Sequence, residues 1–318
     1  MWTDTLDRKK LVEQAYQRGK ELNLKNKNYQ SWLGKFFDQE YREDVGSGDI
    51  TSEAILTKNK HGRAILKAKQ SGIIGGIEEA SWFYKKHGLE IKIWAQDAKE
   101  TQKGNTILEV YGRQRDILAT ERIGLNVLQR MSGIATETRC LVDLLRGYKT
   151  RIAATRKTQL RYLDKKAVFL GGGLTHRLGL WDSILIKDNH LQALKNNGVK
   201  NPVEKAIAMA SMFVDEVGFI EIETTNQDDA VKAARKFKQL KLKKTCIIML
   251  DNLRPEEIEQ IMKKLRNENL YDHVLFEASG NITRENIREY AKTGIDVVSL
   301  GYLTHSAKIF DMSLEMTI

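Results

Sequence analysis

FIEIETTNQDDAVKAARKFKQLKLKKTCIIMLDN, residues Phe219 to Asn252, holds one complete strand–helix–strand unit. Its two ends, FIEIET and CIIMLD, are short β-rich runs, and DDAVKAARKFKQLK between them reads as a helix. The same alternation continues on both sides. RIAAT, SILIKD, HVLFEAS and VVSLGY are further strand-like runs, and VEKAIAMASMFVDE, PEEIEQIMKKLR and RENIREYAKTG are helical stretches. Strand and helix alternating at roughly 25 to 35 residues per unit indicate βα repeats around a parallel sheet. No G-x-G-x-x-G fingerprint follows a first strand, which disfavours an open dinucleotide-binding sheet and leaves a closed or nearly closed α/β barrel.

Upstream of Thr150 the texture differs. RAILKAKQSGIIGG, LEIKIWAQD and NTILEVYGR alternate as half-buried strands do, with the helical IEEASWFYKKHG among them, so a small, mostly antiparallel sheet is expected. Ile117 to about Tyr148 reads as helical, with Ser132-Gly133 interrupting the run. The start of the chain is polar and helical in pattern, with Trp2, Tyr16, Tyr29, Trp32, Phe36 and Phe37 as packing points and a break at KNKNYQ, Lys25 to Gln30. The boundaries that follow are a helical segment 1–42, an α/β domain 43–148 with 305–318 packed nearby, and a barrel domain 149–304.

At 318 residues with 41% hydrophobic and 30% charged composition, the chain is long enough for two domains. It has no apolar run of membrane-spanning length and no apolar core of a secretory signal near its start. Cys140 and Cys246 make neither a disulfide framework nor a metal-ligand spacing, so free thiols in a reducing cytoplasm are expected. The net charge of +10 comes from lysines spread along the chain. With no compact basic arm or RNA-binding signature, it suits a site for small anions better than nucleic acid.

The ends of the predicted strands carry the chemistry. RIAAT runs into Arg156-Lys157, SILI into Lys187-Asp188-Asn189-His190, FIEI ends at Glu223, CIIML at Asp251-Asn252, VLFEA at Ser279-Gly280 and VVSL at Gly301. In parallel βα proteins such residues converge on one mouth. Arg156, Lys157, Arg177 and Lys187, with His176, form a cationic group fitted to carboxylates and phosphates. Glu223 and Asp251 suit sugar hydroxyls and a divalent metal bridging phosphates. Ser279, Gly280, Asn281 and Gly301 resemble loops whose backbone donors cradle a phosphate. Together they describe a ribose carrying several phosphates beside a second, acid-bearing substrate. Each has a plainer reading as well: a lone lysine is commonly solvated, and Glu221 or Glu223 could simply pair with a nearby lysine.

The residues also match a known family. EDVGSGDIT (Glu43 to Thr51), ERIGLNVLQRMSGIAT (Glu121 to Thr136), TRKT (Thr155 to Thr158), GGGLTHRLGL (Gly171 to Leu180), ILIKDNH (Ile184 to His190), EIET, MLDN, FEASGNIT and VVSLGYLTHSAKIFDMSL resemble, in order, quinolinate phosphoribosyltransferases. The resemblance implies an N-terminal α/β sandwich domain and a C-terminal α/β barrel. It implies a reaction of quinolinate with phosphoribosyl pyrophosphate and Mg²⁺ that gives nicotinate mononucleotide, pyrophosphate and CO₂. Thr155, Arg156, Lys157, His176, Arg177 and Lys187 would then bind quinolinate and the pyrophosphate, with Lys157 and Lys187 acting at the reacting centre. Glu223 and Asp251 would address the ribose and metal, and Ser279, Gly280, Asn281 and Gly301 the 5′-phosphate. Arg122 would be lent to a neighbouring subunit's site. One departure stands out: the family reads T-R-K-T, one residue, then P-G-L-R, whereas here Gln159-Leu160-Arg161 follow Thr158 directly and the Pro-Gly turn is missing. Other readings of the same residues are a molybdenum-transport-associated paralogue acting on another acid or nucleobase, and a catalytically silent anion-binding protein.

Overall fold

The computed structural model describes residues 5–317; Trp2, one of the expected packing points, lies outside them. Sequence texture suggested cuts near residues 43 and 149. Grouped by contacts, the chain up to Arg18 joins Leu141–Lys157 and Gly173–Tyr302 in one unit, and Gly19–Cys140 joins Thr158–Gly172 and the chain from Leu303 onward in the other.

The second of these units is built on antiparallel strands: β1 (His61–Ala68), β2 (Gly72–Ile73), β3 (Glu90–Ile93), β4 (Glu100–Thr101) and β5 (Thr106–Arg113). β1 pairs β5 on one side, and on the other it pairs the chain's last strand, Met312–Thr317, from Arg63↔Thr317 to Ala68↔Met312. Ala64, Leu66 and Ala68 are buried while their neighbours are half-exposed, the period of two expected of a sheet covered on one face. Asn26 at the KNKNYQ break caps the helix Lys27–Val45, as asparagine at an N-cap does. Phe37 of that helix stacks at 4.5 Å on Phe83 of the helix Ile77–Lys86.

Ser132-Gly133 does not interrupt the long helix, which runs unbroken from Gln114 to Leu144. Packing explains both residues. A Cβ on Gly133 would fall 1.8 Å from the Lys308 carbonyl oxygen, and the Ser132 hydroxyl accepts from the Gly75 amide at 3.0 Å. The glycine admits a close backbone crossing and does not end the helix.

The other unit holds a six-stranded parallel sheet: β6 (Arg151–Ala153), β7 (Ile184–Ile186), β8 (Phe219–Thr224), β9 (Thr245–Asp251), β10 (Leu275–Ser279) and β11 (Val297–Ser299). The order β6-β11-β10-β9-β8-β7 makes it barrel-like, and beyond β6 a parallel bridge from Ala153 reaches Leu174. The helix Thr5–Tyr16 closes the end where the strands begin. Its Leu11, Val12, Ala15 and Tyr16 share one buried cluster with Phe219, Leu275 and Val297, each the first residue of its strand. Arg8 fixes this helix through a fork to Asp296 (3.0 and 2.5 Å) and a bond to the Val274 carbonyl. With that end filled, the carboxyl ends of the strands are where ligand-handling groups have room.

Candidate active site

β7 is followed by Lys187, whose Nζ lies 2.8 Å from Glu223 Oε2 near the end of the neighbouring β8. Glu223 is 9% exposed and the lysine side chain 46% exposed, so the pair stands at the rim of the sheet. β9 ends on Asp251, level with Ser279 at the end of β10.

The loops after β9 and β10 are locked together. The Asn252 amide donates to the Ser279 carbonyl at 2.9 Å, and its side chain donates to Asp251 at 2.6 Å and accepts from Asn281 at 3.2 Å. Gly280 has φ +86, and a Cβ there would meet Asn252 Oδ1 at 2.2 Å and its backbone nitrogen at 2.9 Å. Asn281 has φ 52, a conformation asparagine tolerates. The sequence noted Asn252 only as a neighbour of Asp251; the structure makes it the clasp of the loop.

Further cations follow β6 and precede β7, the two edge strands of the sheet. Arg156 and Lys157 follow β6 and are exposed, and the Lys157 amide donates to Thr155 Oγ1 at 3.1 Å. Arg177 is 5% exposed. Its Nη1 donates to the Ser183 carbonyl at 3.0 Å. Burial and then Arg156 lower its pKa, with Glu221 and Asp182 opposing. Two guanidinium groups close enough to repel, one of them buried, form a site that an anion would relieve.

His176 is placed differently from the other expected ligands. It is buried, and its Nδ1 accepts from the Arg177 amide at 2.7 Å. Its Nε2 faces Glu221 (3.3 Å) and Glu277 (3.5 Å) inside the sheet. Glu277 was not singled out from sequence, although an acid amid the apolar VLFEA run is a costly choice and hence a signal. Gly301 follows β11 and is half-buried. Arg122 is exposed on the helix Gln114–Leu144 and belongs to the other unit, so the barrel unit by itself does not contain it.

The missing Pro-Gly turn has a substitute. Asp164, fully buried in the first turn of the helix Arg161–Leu170, accepts from the Thr158 hydroxyl and from the Leu160 amide at 3.3 Å. Arg130 forks onto the same carboxylate at 2.7 and 2.8 Å. A side chain thus fixes the loop where proline and glycine would fix a backbone turn.

Glu223 and Asp251 offer hard oxygen donors from adjacent strands, the donor set Mg²⁺ takes beside substrate phosphates. The residues therefore fit that ion.

The comparisons with known proteins point to one family. The family described as quinolinate phosphoribosyl transferase, N-terminal domain, matches residues 49–132, and its C-terminal domain matches residues 134–315. A probable nicotinate-nucleotide pyrophosphorylase [carboxylating] of Methanocaldococcus jannaschii is 40% identical over 290 residues, 89% of this chain and 96% of that protein. A quinolinate phosphoribosyltransferase [decarboxylating] of Nicotiana glauca is 35% identical over 287 residues, 86% of this chain and 79% of that protein. The solved nicotinate-nucleotide pyrophosphorylase of Francisella tularensis superposes with a TM-score of 0.75 at 34% identity, covering 90% of this chain and 96% of that one. Over both of its units, this chain belongs to the quinolinate phosphoribosyl transferase family.

Proposed function

We propose that the chain transfers the phosphoribosyl group of phosphoribosyl pyrophosphate to the ring nitrogen of quinolinate, with loss of CO₂, as an enzyme of NAD biosynthesis. The observation that carries this is the buried Arg177 on the same barrel unit as Arg156 and the Lys187–Glu223 pair. One half is made for a dicarboxylate, the other for a ribose with phosphates.

In the first step the bond between the anomeric carbon and pyrophosphate breaks, the electron pair leaves with pyrophosphate, and the pyridine nitrogen forms the new bond to that carbon. Mg²⁺, held by Glu223 and Asp251 together with the phosphates, would supply charge neutralisation at the leaving group. Lys157 and Lys187 add fixed positive charge there. Arg156 and Arg177, with Thr155, hold the carboxylates so that the nitrogen is aimed at the carbon. Ser279, Gly280, Asn281 and Gly301 hold the 5′-phosphate through the loop that Asn252 clasps. In the second step the carbon–carboxylate bond beside the nitrogen breaks. Its electron pair stays on the ring next to the new positive nitrogen, CO₂ departs, and solvent supplies a proton.

Arg122, exposed and outside the barrel unit, is assigned to the site of a second copy, which makes the working protein at least a dimer. A cytoplasmic setting suits its two free cysteines, and among the described residues no helix is long and apolar enough to cross a membrane. The test is incubation with phosphoribosyl pyrophosphate, Mg²⁺ and either quinolinate or nicotinate, following nicotinate mononucleotide. Product from quinolinate alone is expected. Product from nicotinate at a comparable rate would move the assignment to a paralogue with a different acid.

A further inference from the structure

Buried side chains of the barrel unit meet around His176. His176 has φ 54, a left-handed conformation that histidine visits more readily than most residues. Its ring is held on several sides. Nδ1 accepts the Arg177 amide proton at 2.7 Å, which leaves Nε2 as the protonated nitrogen. Nε2 is directed at Glu221 and Glu277, 3.3 and 3.5 Å away. The ring edge packs against Tyr16 at 5.1 Å and Phe219 at 5.5 Å, in both cases close to perpendicular.

Glu221 and Glu277 are 0% exposed, and none of their four oxygens closes a well-aligned hydrogen bond. The Tyr16 and Ser299 hydroxyls are likewise buried without closing a hydrogen bond. Two carboxyl groups in the middle of buried strands are a poor choice for packing alone, since apolar residues of the same size cost nothing to bury. Nδ1 of His176 is engaged by its own chain, and Nε2 is directed inward at the acid pair. The ring is therefore not presented to substrate, and its effect is exerted through the next residue.

We propose that Glu221, Glu277 and Tyr16 are positioning residues that hold the His176 ring and, through its Nδ1 bond to the Arg177 amide, set the direction in which Arg177 meets the acid substrate. The inference rests on the reading that Arg177 grips a substrate carboxylate. It gives the helix Thr5–Tyr16 a part in substrate binding, because Tyr16 is its last residue and packs on the His176 ring. A merely structural cluster would change stability without favouring one substrate over the other.

The test compares the holoenzyme with Glu277→Leu, which removes the oxygen facing Nε2, and Tyr16→Leu, which removes the ring packed on the imidazole. KM for quinolinate should rise by roughly tenfold or more in both variants, while KM for phosphoribosyl pyrophosphate stays within about twofold. Nitrogen-15 spectra of histidine-labelled wild type should show His176 in the Nε2–H form, a readout that does not depend on activity or on the variants folding. Equal rises in both KM values, unchanged KM values, or an Nδ1–H ring would overturn the inference. So would one equivalent of a divalent metal retained by purified wild type and lost in Glu277→Leu, because His176, Glu221 and Glu277 also have the spacing to hold an ion. Wild type that neither binds nor turns over quinolinate would instead overturn the underlying reading.

Discussion

At Arg177 three effects compete. Burial penalises its charge and Arg156 repels it, while Glu221 and Asp182 attract it. A carboxylate arriving between the arginines gains a charge-assisted fork and removes the repulsion, so the binding energy is concentrated where the acid substrate must sit. Arg177→Ala should therefore lower quinolinate kcat/KM by on the order of 10²-fold or more while thermal unfolding changes little. Arg177→Lys keeps the charge and loses the fork, and should recover only part of that loss. Steady-state kinetics of the purified variants checks both; near-normal turnover in the alanine variant would remove Arg177 from the site. Glu277 gives a second residue-scale prediction. Burial and then Glu221 push its carboxyl up to about 8, above the ordinary value of 4.5 that it has in the unfolded chain. Its folded-state pKa is raised, so the stability it contributes is full below pH 4.5 and is lost as pH rises towards 8. Glu277→Gln should flatten the fall of the thermal midpoint across that window, which a series of melting curves in matched buffers would show.

Elements decide how those residues are held. Gly280 bends the loop after β10 against Asn252, and Gly280→Ala would strain the φ +86 backbone and press on the Asn252 nitrogen. KM for phosphoribosyl pyrophosphate should rise by roughly tenfold or more, with a smaller change for quinolinate, since this loop is assigned to the 5′-phosphate. Asp164→Asn would halve the Arg130 fork and release Thr158; breaking a buried pair of this kind costs about 3 kcal/mol, and a lower midpoint in thermal denaturation checks it. The βα repeats and the strand-end residues could be read from sequence because strand length and periodicity are local properties. The helix through Ser132-Gly133 could not, because the reason for that glycine is Lys308, far away in the chain. The inward turn of His176 was hidden for a similar reason: it depends on Glu221, Glu277 and Tyr16 coming from three separate elements. The one local clue was the placing of two acids inside apolar strand runs.

On the scale of the whole molecule, each unit is complete as a packed body, yet the cationic residues that the family resemblance collects are not all in one. Arg156, Lys157, Arg177 and Lys187 lie in the barrel unit, and Arg122 lies in the other. If Arg122 serves a second copy, two inactive variants should repair one another. Co-refolding Arg122→Ala with Arg177→Ala in equal amounts would place both lesions in one site of each mixed dimer and neither in the other, restoring about a quarter of wild-type activity. Failure to recover activity, with mixed dimers demonstrated, would confine each site to a single chain. The central claim is the coupled reaction itself, and carbon balance tests it most directly. With quinolinate labelled in the carboxylate beside the nitrogen, phosphoribosyl pyrophosphate and Mg²⁺, labelled CO₂, pyrophosphate and nicotinate mononucleotide should appear in equal amounts. A nucleotide product that keeps the label, or pyrophosphate released without CO₂, would contradict it.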